Sequence, residues 1–340
     1  MALHRVWFNK GFSGVYRWAR ALGANVHALT SHTSSEAIAF YGGEGFLEPK
    51  NLSGADYVDY CLDTCRKRQI DLFIPSKEQA VLTDCREAFE RQGTQLMVTA
   101  DSATLDLLDN KAEFLQNFDA SIVPILPFEV FSTQDGFERA VQALSVPGVT
   151  LCFKPSRGIY GHGFHVLVER EQLSRMIKGD TVQMEFDHAR RLFASEAEFK
   201  PLLLMHYAEG IERSVDCLAQ RGTLVTAICR VKHGATQWLE DRPDVVEIAQ
   251  SLAKHYRLNG IFNFQLRDHN GVPHLLEINA RPSGGLFISM QSGVNMVDWL
   301  VRLELGLASI SDVPSPKLGF PVGRSEVAIS LEGPYAPVGY

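Results

Sequence analysis

In the segment LLEINARPSGG, residues 275–285, Glu277, Asn279 and Arg281 fall at every second position. On a pleated strand this spacing puts a carboxylate, an amide and a guanidinium on one face. Such a face suits ions better than a core. Upstream, the strand-like run FNFQLR carries Gln265, and the Asn270-Gly271 pair between the two runs is a strong hairpin signal. If the strands pair, Gln265 can share a face with Glu277 and Asn279. A carboxylate and two carboxamides are hard oxygen donors of the kind Mg²⁺ takes, and a single protein charge suits an ion whose other ligands are substrate phosphates. A solvated sheet face has the same spacing.

A second segment, FKPSRGIYGHGFHVL, places Lys154 at a strand end, followed by Gly158, Gly161 and Gly163. Glycines let backbone N–H groups approach phosphate oxygens, and a lysine ammonium supplies a point charge to the same group. The lysine precedes the glycines, so this is not the G-x-x-x-x-G-K-[ST] loop. It reads as a flexible cover over a polyphosphate, or as hairpin glycines. Arg230, in ICRVKHG, reads either as a site residue or as a surface strand arginine. Ser283, Gly284 and Gly285 read as an anion-binding helix start or as a plain cap made by Ser283. Glu78, after the strand LFIPS, reads as substrate-facing or as a carboxylate favouring a helix N-terminus.

These groups need elements to hold them. The first hundred residues alternate strand and helix signals: LHRVWF, NVHALTS, IDLFIPS and TQLMVT as strands, with helices in SGVYRWARALG, ADYVDYCLDTCRKRQ and KEQAVLTDCREAFERQG. Such alternation predicts a doubly wound parallel sheet. The turn FNKGFSG lacks the full G-x-G-x-x-G spacing of a dinucleotide site. Then come a helical stretch over SATLDLLDNKAEFLQNF, an extended connector VPILPF, a helix in FERAVQALS, and two strands flanking the glycine loop. One or two helices are expected in 171–200. PLLLMHY is a strand, hairpins turn at Arg221-Gly222 and Asn270-Gly271, and a helix in PDVVEIAQSLAKHYRL lies between them. A helical region from Gly284 and a Pro-rich tail complete an α+β second half.

Composition narrows the function classes. The 340 residues carry a formal charge of −7 with no basic block, which argues against nucleic acid as a partner. No run approaches the ~18 apolar residues of a membrane span, and MALHRVWFNKGF lacks a signal-peptide pattern, so a cytoplasmic protein is expected. Six scattered cysteines, none in a C-x-x-C pair, read as inert or structural thiols.

Taken in order, these segments resemble the ATP-grasp superfamily, most closely the ATP-binding halves of the carbamoyl-phosphate synthetase large subunit and related carboxylate–amine ligases. The resemblance covers residues 101–310 well and 1–100 more loosely. It implies a pre-ATP-grasp α/β domain over 1–100, then an ATP-grasp fold of two α+β subdomains. These are 101–200 with the glycine lid and 201–310 with the metal site, followed by a tail over 311–340. It implies ATP bound by Lys111 (in LDNKAEF), Lys154, Gly161 and Gly163, with adenine on Met205, His206, Tyr207 and Ala208 and the ribose on Glu212. It further implies Mg²⁺ or Mn²⁺ on Gln265, Glu277 and Asn279, Arg281 and Arg230 at the reacting phosphoryl group, and substrate on Ser283, Gly284 and Gly285. Small-molecule carboxylate and amine substrates follow, and relatives of this kind are commonly homodimers. A kinase-type phosphotransferase and a nucleotide-regulated binding protein are the competing readings. Departures from the family pattern are Gln265, where a carboxylate is frequent, and Met205 and His206, where glutamate and lysine or an aromatic are common.

Overall fold

The computed structural model describes residues 3–9, 14–158, 161–170, 177 and 182–325. Packing divides the chain into two units: residues 1–106, 213–264 and 278–340 form one, and 107–212 with 265–277 the other. This grouping is not the linear one expected from the sequence.

In the first unit, strands β1 (His4–Phe8), β2 (Val26–His32), β3 (Glu44–Leu47), β4 (Leu72–Ile74) and β5 (Gln95–Leu96) form a sheet in the order β3-β2-β1-β4-β5. Every pairing is parallel. The expected doubly wound sheet is therefore present. Its β1 strand shows why Val6, Trp7 and Phe8 are apolar without alternation: Val6 and Phe8 join one core cluster, while Trp7 enters another and stacks on Phe73 at 4.1 Å. A strand covered on both faces needs apolar residues on both. Helices α1 (Val15–Arg20), α2 (Gly54–Arg68), α3 (Gln79–Asp84) and α4 (Arg86–Arg91) connect the strands. The single helix expected over 77–93 is broken at Cys85, and β3, short and mostly exposed, was not legible from its pattern. The Glu78 carboxylate accepts from Gly54 N–H at 3.5 Å, at the first turn of α2, which fits the helix-terminus reading.

In the second unit the helix expected over 102–118 is also two: α5 (Ser102–Asp109) and α6 (Lys111–Gln116). Asn110 interrupts them in extended conformation and caps α6, accepting from Glu113 N–H. Lys111 thus becomes the first residue of a new helix. Strands β6 (Phe128–Phe131), β7 (Leu151–Pro155), β8 (His165–Val168), β9 (Gln183–Glu185) and β10 (Leu202–His206) form a sheet in the order β6-β10-β7-β8-β9. Helices α7 (Gln134–Leu144) and α8 (Phe186–Phe193) supply Phe137 and Phe193 to an aromatic core with Phe131 and Phe153. The connector 123–127 is extended as expected, and Leu275 N–H donates to Pro124 O at 2.8 Å. Of the helical content expected in 171–200, α8 is present, and most of 171–181 lies outside the described residues.

A third sheet has six strands, β11 (Glu212–Gln220), β12 (Thr223–His233), β13 (Thr236–Glu240), β14 (Gly260–His269), β15 (Val272–Asn279) and β16 (Phe320–Gly323), in the order β15-β14-β11-β12-β13-β16. Both predicted hairpins form, with positive φ at Arg221 and Gly222 (50° and 84°) and at Asn270 and Gly271 (52° and 79°). Leu218, Ile228, Leu239 and Ile261 share a core with Val6, Phe8 and Leu72, which explains why these strands group with the N-terminal sheet. Helices α9 (Pro243–His255), α10 (Leu286–Ser289) and α11 (Met296–Glu304) follow the expected pattern, although α10 is a single turn.

Candidate active site

Within the second unit, three elements bring charge together. Lys154 is on β7, Lys111 opens α6, and Glu277 is on β15. The Lys111 ammonium lies 3.5 Å from a Glu277 oxygen, with side-chain exposures of 13% and 19%. It also donates to Gly158 O at 2.8 Å, while Lys154 Nζ donates to Leu276 O at 3.2 Å. Lys111 thus pairs with Glu277, and Lys154 feels the same carboxylate at longer range. Burial lowers the Lys154 pKa from the usual lysine range, Glu277 opposes that shift and Lys111 adds to it. The surplus positive charge, poorly hydrated, is suited to a polyanion.

The break at Asn110 positions Lys111. Ser156 Oγ donates to Asn110 Oδ1, and Lys111 N–H donates to Ser156 O at 2.8 Å. The start of α6 is therefore tied to the root of the glycine loop. Gly161 and Gly163 take φ of 67° and 75°, and a Cβ on Gly163 would overlap the Pro155 ring. Both features require glycine.

Met205 and Ala208 are buried in an apolar cluster with Leu126, Cys152 and Val166, against which Tyr207 and Leu276 pack. The His206 ring Nε2 sits 2.9 Å from Leu144 O, so this side chain is committed to the core. The N–H groups of His206 and Tyr207 donate to Pro127 O and Thr150 O. Among the described residues, the Ala208 N–H is the first in this segment without a main-chain acceptor. Sequence reasoning missed Arg267: its guanidinium lies 4.6 Å from the Tyr207 ring centroid, donates to Tyr207 Oη at 2.9 Å, and is 3.6 Å from the Glu212 carboxylate. Its alternation with Gln265 on β14 was the available signal.

Glu277 and Gln265 are the hard oxygen donors that the second unit holds on these strands. Glu277 and Asn279 are alternate residues of β15, and Gln265 is on the neighbouring strand β14. No group of three or more His, Cys, Asp or Glu that could hold a metal occurs among the described residues. A carboxylate beside a carboxamide is a hard-oxygen set of the kind an ion takes when phosphate and water complete its shell.

In the first unit, Arg281 Nη2 donates to Asn279 Oδ1 at 3.3 Å. Arg230 is no surface strand arginine: its side chain is 5% exposed and pairs with fully buried Asp216 at 2.9 Å. It also donates to Gln237 Oε1 (2.6 Å), Ser214 Oγ (3.0 Å) and Ser283 Oγ (2.9 Å). Asn263 and Ser289 donate to the two Asp216 oxygens. A Cβ on Gly285 would overlap the Arg230 guanidinium. Arg230 thereby holds the 283–285 turn. Within that turn Gly285 N–H donates to Ser283 Oγ and Leu286 N–H to Ser283 O, so Ser283 takes up two of the N–H groups considered for an anion. Arg230→Met is expected to lower stability by about 3–5 kcal/mol, because it leaves Asp216 charged, buried and unpaired. Urea denaturation checks this, and the double variant Arg230→Met/Asp216→Leu should recover much of the loss; equal instability of both would remove the charge-pair explanation.

The family described as ATP-grasp in the biosynthetic pathway with Ter operon matches residues 198–327. The arginine-specific large chain of carbamoyl phosphate synthase from Geobacillus stearothermophilus is 24% identical over 295 residues, covering 82% of this chain and 26% of that protein. The chain thus spans about a quarter of that relative's length. N5-carboxyaminoimidazole ribonucleotide synthetase from Thermus thermophilus shares the fold with a TM-score of 0.64 at 15% identity, covering 92% of this chain and 81% of that one. The biotin carboxylase domain of Hydrogenobacter thermophilus 2-oxoglutarate carboxylase, solved with MgADP and bicarbonate, gives a TM-score of 0.62 at 16% identity, over 90% of this chain and 70% of that one.

Proposed function

The chain belongs to the ATP-grasp superfamily, and on that premise we propose that it is an ATP-dependent ligase joining a carboxylate to an amine with release of ADP and phosphate. The pairing of Lys111 with Glu277, with Lys154 bonded to the adjoining Leu276 carbonyl, carries this reading. Phosphoryl transfer needs positioning and charge neutralisation more than covalent participation by protein. In this reading the two ammonium groups hold phosphate oxygens of the nucleotide, and Gly161 and Gly163 let the loop close over them. The base lies on the apolar cluster of Met205, Tyr207 and Ala208 and meets main-chain groups there. Glu212 takes the ribose hydroxyls. Mg²⁺ or Mn²⁺ on Gln265, Glu277 and Asn279 would neutralise phosphate charge.

The substrate carboxylate oxygen attacks the γ-phosphorus as the bond to the β-bridging oxygen breaks, giving an acyl phosphate and ADP. The amine nitrogen then attacks the acyl carbon, phosphate leaves with the C–O electron pair, and the nitrogen loses a proton to solvent. Arg281 steadies the phosphoryl group. Arg230 acts through Ser283, positioning the 283–285 segment for substrate, and does not itself reach the reacting atoms in this scheme.

Hydroxylamine trapping tests the acyl phosphate: with ATP and the correct carboxylate, a hydroxamate should form in place of the amide. Phosphorylation of a hydroxyl acceptor with no hydroxamate from any carboxylate would instead make the protein a phosphotransferase. Phosphate release supported by bicarbonate alone would align it with carboxylating relatives.

A further inference from the structure

The segment that leads from β10 into β11 is held by one side chain to which the proposed reaction gives no role. Arg267, on β14, reaches it at three points: Nη2 donates to Tyr207 Oη at 2.9 Å, Nε donates to Gly210 O at 3.3 Å, and Nη1 lies 3.6 Å from a Glu212 carboxylate oxygen. Its guanidinium is also 4.6 Å from the centroid of the Tyr207 ring. Arg267, Tyr207, Gly210 and Glu212 all belong to the second unit. Main-chain bonds run alongside, with Gly210 N–H donating to Asp268 O at 3.1 Å and Asp268 N–H to Ile211 O at 3.0 Å. A Cβ on Gly210 would overlap Asp268, so only glycine lets the segment lie this close to β14.

A stacked cation and a hydrogen bond on its hydroxyl fix both the plane and the tip of the Tyr207 ring. The Glu212 contact is looser. At 3.6 Å it is an ion pair without a hydrogen bond, the Glu212 side chain is 40% exposed, and among the described residues no donor is bonded to its carboxylate. A carboxylate offers about four acceptor sites. Arg267 therefore holds the charge in place while those sites stay open to hydroxyl donors from a ligand. A partly exposed pair of this kind adds little to stability, so its consequence is sought in binding.

We propose that Arg267 is a positioning residue for the nucleoside: it sets the Tyr207 ring against the base and holds the Glu212 carboxylate where the ribose hydroxyls donate to it. This rests on the nucleotide reading given above and adds to it a residue that touches neither phosphate nor metal. Arg267 and Gln265 alternate on β14 and so share a face of that strand, one serving the nucleoside and the other the phosphate-bound ion.

Calorimetry of the whole chain at fixed Mg²⁺ with ADP, 2′,3′-dideoxy-ADP and inorganic tripolyphosphate separates this role from a purely structural one. Tripolyphosphate reports the phosphate-binding groups alone. The parent should prefer ADP to the dideoxy analogue at least about tenfold, the scale of hydrogen bonds to a charged group. Arg267→Met is expected to weaken ADP binding at least about tenfold and to cut that preference to about threefold or less, with tripolyphosphate affinity unchanged. Arg267→Lys keeps a charge but loses the planar fork, so its preference should fall between the two. If the methionine variant is unstable, Arg267→Lys decides alone, and an unaltered preference there overturns the proposal. Equal weakening of all three ligands in Arg267→Met makes Arg267 a structural residue. A parent that binds ADP and the dideoxy analogue equally, or a preference unaltered in Arg267→Met, overturns the positioning role alone. A parent that binds tripolyphosphate but not ADP overturns the nucleotide reading, and the positioning role with it.

Discussion

Glu277→Gln is expected to lower ADP-forming turnover by about 10³-fold or more, in line with the loss of a principal electrostatic group at a phosphoryl-transfer centre, while leaving metal-free nucleotide binding intact. Glutamine keeps the shape and one oxygen donor but removes the charge. In the parent, Glu277 pairs with Lys111 and also favours the charged form of Lys154. Without it both ammonium groups present more positive potential to phosphate, so metal-free affinity should hold or rise. The divalent ion, left with neutral donors, should bind weakly. Calorimetry of ADP binding with and without Mg²⁺, alongside single-turnover ADP formation, separates the two effects. A variant with full turnover would remove the metal role assigned to Glu277.

Lys154→Met is expected to cut phosphoryl transfer by about 10²–10³-fold without loss of stability. Burial penalises the charged lysine and lowers its pKa, so the folded chain gives up this proton before the unfolded chain does. Between the lowered folded value and the ordinary lysine value the unfolded state binds more protons, and stability therefore rises with pH there. Below that window the folded state carries the full penalty of a buried ammonium. Methionine fills similar space without the cost of burying an ammonium, and Glu277 keeps Lys111 as its partner. Nucleotide affinity has the opposite pH dependence: it should fall, by at most about tenfold per pH unit for one linked proton, as the ammonium is lost. Urea midpoints and ADP affinities from pH 7 upward, in parent and variant, test both signs. A marked loss of stability in Lys154→Met would make Lys154 a structural residue held in place for the fold.

The two halves of the candidate site were legible to different degrees. The Asn270-Gly271 and Arg221-Gly222 turns follow from residues that tolerate positive φ, and both hairpins formed where those pairs stand. Lys154, at the end of an apolar run, could be placed on a strand from its neighbours alone. Short strands such as β3, β9 and β13 were not legible, because a few residues with mixed exposure carry no resolvable period. Arg267 and Asp216 escaped notice for a different reason. Each lies inside a strand whose local pattern is ordinary, and each gains its role from partners far along the chain: Tyr207 for Arg267, and Arg230, Asn263 and Ser289 for Asp216.

By itself the sequence determined which groups could serve a polyphosphate and on which element each would sit. The alternation of Glu277, Asn279 and Arg281, the lysine before the glycines, and the hairpin turns are local, and local spacing fixes direction on a helix or strand. Tertiary structure decided the rest. The helix stops at Asn110, where Ser156, 46 residues away, meets the capping side chain, and this contact fixes the helix start at Lys111 that the resemblance of LDNKAEF implied. Arg230 was open to a surface reading until Asp216, Gln237, Ser214 and Ser283 were seen to surround it. Burial of a charge and satisfaction of its hydrogen bonds depend on which distant residues arrive beside it, and no local pattern encodes that arrival.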